Sequence, residues 1–266
     1  LFSPTISVDS THKDTKFGDL LSACHQTEPI TFSELFDQIE ADYFTKIAEG
    51  AHSDVFRVYS YRGDSVFKVV KLGYVLKSWD RLFSEILIAL KLSDLRKKLE
   101  YYTTGFLELR RRWPRIWTPI FYSVTCVCDI YPVELLKACE DFKDDGNNPG
   151  HNKKGTCGKY SKTKEPYLVW HMSYAGVPLD NVKLDGVLQL WSILQQVTLS
   201  VAVAEDALEF EHRNLHTQNI LVKKTDEETS QFCIGGRSVV INTWGIKAHV
   251  IDYGSARITD GKVHSL

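Results

Sequence analysis

The sequence predicts an α+β chain in two lobes, a small β-rich lobe followed by a helical one. Three observations carry that prediction. Apolar residues alternate in short runs between Phe44 and Lys71, which is the period of a strand. Between Val187 and Phe210 they recur every three or four residues, which is the period of a helix with one buried face. The 266 residues fit one large domain or two lobes, at roughly 100–200 residues per domain.

Taken in order, residues 1–40 read as a polar amino-terminal arm that closes in a short helix. Phe32, Leu35, Phe36 and Ile39 have helical spacing, and Thr31 with Glu34 has the spacing of a capping box. Three antiparallel strands follow. They run through Ile47, Val55 to Tyr59 and Val66 to Val70, with turns at Gly50 and at Arg62-Gly63-Asp64. A helix is predicted from Trp79 to Leu99 on the spacing of Leu82, Phe83, Ile86, Leu87 and Leu90. Strand-like runs return at 120–130 and 167–172. The segment 140–165 between them is rich in Asp, Gly, Asn and Lys and reads as an exposed loop. Val187, Leu190, Leu194, Val197, Val201, Ala204 and Leu208 then mark one continuous apolar face, that of a core helix. A polar segment, a strand at Ile220 to Val222 and a glycine-containing excursion lead to a last strand, Ala248 to Ile251, followed at once by Asp252.

Composition excludes several classes. The chain is 43% hydrophobic with a net charge of −2, whereas disorder needs fewer apolar residues and a larger charge. Dedicated nucleic-acid binding needs clustered Lys and Arg, so none is expected. No run of about 18 apolar residues is present, so no membrane-spanning helix is expected. The six cysteines are scattered without a C-x-x-C pair. They read as buried, reduced thiols in an intracellular protein rather than as a zinc site.

The chemistry-bearing residues are polar groups at strand ends. Asn219 closes the loop Glu211-His212-Arg213-Asn214-Leu215-His216-Thr217-Gln218 just before a strand, and Asp252 follows the last strand. An amide oxygen and a carboxylate so placed suit the metal ions that bridge ATP phosphates. Phosphoryl transfer also needs a strand lysine and a helical acid to fix it. Lys68, in Ser65-Val66-Phe67-Lys68, and Glu85 on the next helix have those positions. Lys71 competes with Lys68, but strand alternation turns it to the opposite face. The stretch Ala48-Glu49-Gly50-Ala51-His52-Ser53-Asp54-Val55 keeps one glycine of a phosphate-binding loop, and His52 would lie near the phosphates.

These stretches together resemble the haspin family of protein kinases. The similarity is carried by Ile47-Ala48-Glu49-Gly50 with Val55-Phe56, by Leu199 to Glu205 leading into Phe210-Glu211-His212-Arg213, and by Asn219 to Thr225 with Val250-Ile251-Asp252-Tyr253. The segment Asp226 to Lys247 takes the place of the family's insertion before the metal-binding Asp. The family's Asp-Tyr-Thr is Asp252-Tyr253-Gly254 here. The resemblance implies a bilobal protein-kinase-like fold over 41–266. Its first lobe would span 41–172, its hinge 173–178, and a carboxy-terminally incomplete helical lobe 179–266. It further implies that Ile47, Gly50 and Val55 cover the adenine and phosphates of ATP and that Lys68 with Glu85 holds the phosphates. Met172 would be the gatekeeper, with Ser173, Tyr174, Ala175 and Gly176 as the hinge, and Asn219 and Asp252 would hold Mg²⁺. The implied substrate is a Ser or Thr hydroxyl in a basic peptide, the histone H3 tail, in the nucleus of mitotic cells. Glu205, Asp206, Glu209 and Glu211 are candidates for an acidic groove. The activation segment and lower helices of the family would follow Asp252, after which fourteen residues remain. The chain also opens on Leu1 rather than Met, and it reads as an excerpt.

One departure bears on chemistry. Asn214 stands where the family has its catalytic Asp. An amide can orient a hydroxyl but cannot accept its proton. His216, two residues on, is an alternative base, although a packing role suits it better. Three readings stay open: an active protein kinase, a pseudokinase that binds ATP or acts as a scaffold, and a small-molecule kinase, which the Asp226–Lys247 segment argues against.

Overall fold

The computed structural model describes residues 17–50, 53–61, 63–72, 79–109, 123–144 and 163–259. The chain divides into two compact units, residues 1–79 with 111–171, and residues 80–110 with 172–266.

The first unit is built on a five-stranded sheet in the order β1-β2-β3-β5-β4. Its strands are β1 (Ala41–Glu49), β2 (Ser53–Ser60), β3 (Ser65–Lys71), β4 (Ser123–Asp129) and β5 (Glu165–Ser173), the last of which ends inside the second unit. The first three are antiparallel, as the alternation predicts. Phe56, Val58, Phe67 and Val69 point into a core shared with helix α1 (Phe32–Ile39), which contributes Phe32, Leu35 and Ile39. The capping box at its start is present. The Glu34 amide donates to Thr31 Oγ1 at 3.2 Å, and the Thr31 amide donates to Glu34 Oε2 at 2.7 Å.

The arm before α1 closes an edge of this sheet. The Ile30 amide donates to Cys126 O at 3.2 Å and the Cys128 amide to Ile30 O at 2.9 Å, so one residue of the arm pairs parallel with β4. The Gln26 side chain extends the same edge, donating to Cys126 O at 3.0 Å and accepting from the Cys126 amide at 2.6 Å. Pairing of this kind removes exposed strand-edge groups that would otherwise recruit another chain.

Two expectations fail in this unit. The segment 140–165 begins in a helix rather than a loop, because a helix spans Val133–Asp144 and buries Leu135, Ala138 and Cys139. Its short i, i+3, i+4 signal is masked by the acidic and lysine residues around it. The rest of the segment to residue 162 lies outside the described residues, as do Ala51 and His52. The cysteines are not all thiols either. Cys139 is disulfide-bonded, while Cys24, Cys126, Cys128 and Cys233 are free.

In order, the remaining helices are α2 (Trp79–Asp94), α3 (the Val133–Asp144 helix just described) and α4 (Val187–Leu208). The second unit holds a three-stranded sheet ordered β10-β7-β6, from β6 (Val177–Pro178), β7 (Ile220–Lys224) and β10 (Ile246–Val250). The glycine-containing excursion is a hairpin of β8 (Thr229–Ile234) and β9 (Arg237–Asn242). Gly235 and Gly236 connect the strands at φ 53° and 79°, the pair of positive angles that matches strand twist in a two-residue turn.

Helix α4 lies where the period predicts, but only the later part of the predicted face is inward, at Val197, Ala204 and Leu208. Val187, Leu190 and Leu194 are exposed, and the buried set includes Ser192, Ile193, Gln196, Val197, Ser200, Val203 and Ala204. The helix is apolar nearly all round, so periodicity alone cannot choose the face. The polar residues decide it by satisfying the backbone of the strand they meet. Gln196 Nε2 donates to Ile246 O at 2.8 Å, and its Oε1 accepts from the Ala248 amide at 3.0 Å. Ser192 Oγ donates to Asn242 O at 2.9 Å. These 22 residues are also long and apolar enough, by length and composition alone, to cross a membrane. That overturns the expectation that no helix of this chain meets the test.

Candidate functional site

The residues of the first unit that bear on chemistry sit on the β1–β2 hairpin and on β3. Gly50 opens the tip of the hairpin, its amide donating to Ser53 O at 2.8 Å. The register slips between Lys46 and Ala48, so Ile47 occupies a β-bulge and its side chain is exposed. A bulge re-aims a side chain that strict alternation would send elsewhere. Val55 stands directly opposite Lys68 in the β2–β3 register, and such pairs share one face of a sheet. Lys68 Nζ lies 5.6 Å from the centroid of the Trp170 ring, within cation–π range. Lys71 is on the other face, as alternation requires, and forms an ion pair with Glu165.

A buried ion cluster underlies this hairpin, and the sequence reading did not find it. Lys46 Nζ is 2.7 Å from both Asp54 Oδ1 and Glu49 Oε2. The side chains of Lys46 and Asp54 are 1% and 0% exposed. Glu49 and Asp54 face each other across the hairpin, so one ammonium ties both strands next to the turn. The ammonium also lies 5.2 Å from the Phe142 ring centroid on α3. The available signal was the inward register of Lys46 on β1, which a lysine occupies only when paired.

In the second unit the segment after β5 is fixed by a glycine and a lysine. Gly176 has φ 99°, and a Cβ there would lie 2.0 Å from Val222 O, so any side chain is excluded. That approach lets Val177 and Pro178 pair with β7. Lys223 Nζ donates to Tyr174 O at 3.3 Å, and burial pushes its ammonium pKa below the ordinary value. Met172, Ser173, Tyr174 and Ala175 occupy the connection between β5 and this turn.

The loop from Phe210 to Asn219 is held from inside by His212. Its Nε2 is 2.9 Å from Ile251 O, and its Nδ1 is 3.3 Å from the Asn214 amide. A carbonyl can only accept and an amide N–H can only donate, so the ring carries its hydrogen on Nε2. Phe106, Phe210, His212 and Tyr253 pack edge to face around it, with centroids 5.8–6.5 Å apart. Tyr253 donates to Val250 O at 2.7 Å, and burial raises its phenol pKa above the ordinary value.

Asn219 is nine-tenths buried. Its Nδ2 donates to Asn214 O at 3.0 Å and contacts His216 Nε2 at 3.1 Å. An amide nitrogen has two hydrogens, so both are committed and Oδ1 is left to accept elsewhere. His216 Nε2 is thereby the acceptor in that contact. Asn214 has both backbone groups in use, and the residue is exposed. The β7–β10 ladder pairs Ile220 with Val250, and the Ile251 amide donates to Asn219 O at 3.0 Å. Asn219 and Asp252 thus sit at one end of the same two strands. Asp252 is exposed with φ 67°, a left-handed conformation that Asp tolerates better than most residues. An amide oxygen and a carboxylate at one strand end are a donor set suited to Mg²⁺, which takes few protein ligands and keeps water. Glu85 lies partly buried on α2.

Of the acidic candidates, Glu205, Asp206 and Glu209 are exposed, whereas Glu211 is spent. Its carboxylate accepts from Arg213 Nε at 2.7 Å and from Arg257 Nη1 at 2.8 Å. The hydrogen bond from Arg213 leads the effects that lower its pKa. Sequence spacing has no signal for the Arg257 contact, which arises from a backbone bridge between Glu211 and Arg257.

Comparison with known proteins finds one family and several relatives. The family profile described as "Haspin like kinase domain" matches residues 5–265. The serine/threonine-protein kinase haspin of Mus musculus is 28% identical over 268 residues, covering 97% of this chain and 33% of that protein. The haspin homolog of Arabidopsis thaliana is 32% identical over 271 residues, covering 98% of this chain and 42% of that protein. The homolog of Drosophila melanogaster is 27% identical over 258 residues, with shares of 91% and 42%. The chain therefore spans between a third and under half of the length of these relatives.

Proposed function

The chain belongs to the haspin-like kinase family, and from that premise we propose that it binds Mg-ATP and transfers the γ-phosphate to a Ser or Thr hydroxyl of a basic peptide, with the histone H3 tail as candidate substrate. The observation that carries this reading is the end of the β7–β10 ladder. There Asn219 has both amide hydrogens committed and its oxygen available, beside the exposed Asp252. In this reading Asn219 and Asp252 hold the metal, Lys68 with Glu85 orients the phosphates, and Gly50 with Ile47 and Val55 covers the nucleotide. Met172, Ser173, Tyr174 and Gly176 flank the adenine. A Mg²⁺ held by Asn219 and Asp252 would supply positive charge to neutralise that developing on the transferred phosphoryl group. The remaining contributions are positional. His212 locks the loop, and Asn219 holds Asn214 by its carbonyl, which leaves the Asn214 side chain free to orient a hydroxyl.

A second reading follows from Asn214 itself. Its amide cannot take the substrate proton, and loss of a general base costs about 10²–10⁴-fold in rate. A pseudokinase that retains Mg-ATP binding is therefore the alternative, with slow transfer between the two. Thermal unfolding with and without Mg-ATP tests the shared claim. A rise in Tm that needs both Mg²⁺ and ATP is expected, and no rise at saturating nucleotide contradicts nucleotide binding in either form.

A further inference from the structure

The turn after Asp252 is gripped by a residue on α2. Arg81 donates through Nε to Gly254 O and through Nη2 to Ser255 Oγ, the latter at 3.0 Å. It lies four residues before Glu85 on α2, so the two share a helix face one turn apart. The far side of Gly254 meets Asp252. The Gly254 amide is 3.5 Å from Asp252 Oδ1. A Cβ built on Gly254 would have Arg81 Nη2 at 3.4 Å and Asp252 Oδ1 at 3.5 Å. Gly254 is thus a thin spacer, with a guanidinium on one side and the carboxylate on the other.

We propose that Arg81 is a positioning residue that sets the orientation of the Asp252 carboxylate by clamping Gly254 and Ser255 to α2. The proposal rests on the reading of Asp252 as a metal-holding group. Asp252 is exposed and in a left-handed backbone conformation, so it needs its neighbours to hold it there. On its amino-terminal side the Ile251 amide is tied to Asn219 O. On its carboxy-terminal side the guanidinium ties Gly254 and Ser255, two and three residues on. The planar fork of Arg reaches two acceptors at once, which a single ammonium cannot do. A displacement of α2 draws Gly254 with it, so the helix that carries Glu85 and the carboxylate of Asp252 move together. A Cβ alone at Gly254 would sit in ordinary van der Waals contact with both groups. A side chain with atoms beyond Cβ, such as the Thr that the family pattern has there, would enter the space between Arg81 and Asp252.

The test is calorimetric titration of ADP in Mg²⁺ and in EDTA, on wild type, Arg81→Gln, Arg81→Lys and Gly254→Thr. The readout is the Mg-dependent gain, meaning the ratio of the two dissociation constants. Losing hydrogen bonds from a charged donor is expected to reduce that gain about tenfold in Arg81→Gln. Affinity in EDTA and the Tm of the free protein should stay at wild-type values, because Arg81 is exposed. Arg81→Lys should recover part of the gain, and Gly254→Thr should lose it as Arg81→Gln does. If a variant fails to fold, Ser255→Ala, which removes one acceptor at the surface, is expected to lose a smaller part of the gain. Equal gains in wild type and Arg81→Gln overturn the role of Arg81 alone. No Mg-dependent gain in wild type overturns the metal reading of Asp252 and the proposal with it.

Discussion

Replacing Lys46 by Met removes the cation from a buried cluster while keeping the volume of the side chain. Lys46 and Asp54 are 2.7 Å apart with 1% and 0% of their side chains exposed. Water therefore cannot take over the role of the ammonium. Breaking a buried pair by removing one partner costs about 3–5 kcal/mol, since the other charge stays desolvated. For a chain of this size each kcal/mol shifts Tm by about 2–4 °C, so a fall of roughly 6–20 °C is expected. Glu49→Gln removes the more exposed partner, at 24%, and should cost about 1 kcal/mol or less. The double variant Lys46→Met/Asp54→Leu should recover most of the loss, because an apolar pair of similar volume is often as stable as a buried ion pair. The assay is calorimetric or circular-dichroism melting of all four proteins. Lys46→Met within ~2 °C of wild type, which is about 1 kcal/mol or less, refutes the reasoning, as does a double variant no better than Lys46→Met.

Three further outcomes are expected. Gly176→Ala places a Cβ 2.0 Å from Val222 O at a positive φ, so the protein should be recovered mostly unfolded or with a strongly lowered Tm, and wild-type melting contradicts the close approach. His249 is fully buried and its pKa is held well below 6.5 by burial and then by Arg96. The unfolded chain therefore binds a proton that the folded one refuses, and stability falls with decreasing pH below about 6.5, at up to ~1.4 kcal/mol per pH unit. Denaturant melts of His249→Phe between pH 7 and 5 should show a shallower dependence than wild type. Tyr253 has its phenol pKa raised above 10 by burial, so its contribution is whole below pH 10 and is lost as pH rises beyond it. Alkaline titration of stability should be flatter in Tyr253→Phe.

Regular periodicity was enough to find the strands of the first sheet, α1 with its capping box, and the positions of α2 and α4. It failed where the burial decision is made by polar groups. On α4 the inward face is chosen by Gln196 and Ser192 meeting the backbone of β10 and Asn242, and nothing local in the helix announces those partners. The β8–β9 hairpin rests on two glycines whose positive φ values a scan for apolar runs does not weigh. Among the site candidates, Asn219, Asp252 and Gly50 stood out in the sequence because each flanks a strand, and Lys68 because it lies within the alternating run of β3. Lys46, Lys223, Arg81 and Arg257 were not, because their roles come from contacts with residues distant in sequence. Lys71 lies on the face of β3 opposite Lys68, as alternation requires, and pairs there with Glu165.

The central claim is that the nucleotide–metal machinery is intact while the hydroxyl-facing position has an amide. Transfer of the γ-phosphate to a histone H3 amino-terminal peptide, followed with labelled ATP for wild type and Asn214→Asp side by side, tests it most directly. The account predicts the same apparent KM for ATP and a rate about 10²–10⁴-fold higher in Asn214→Asp, given the usual worth of a general base. Equal rates in the two proteins, or a change confined to KM for ATP, would contradict it.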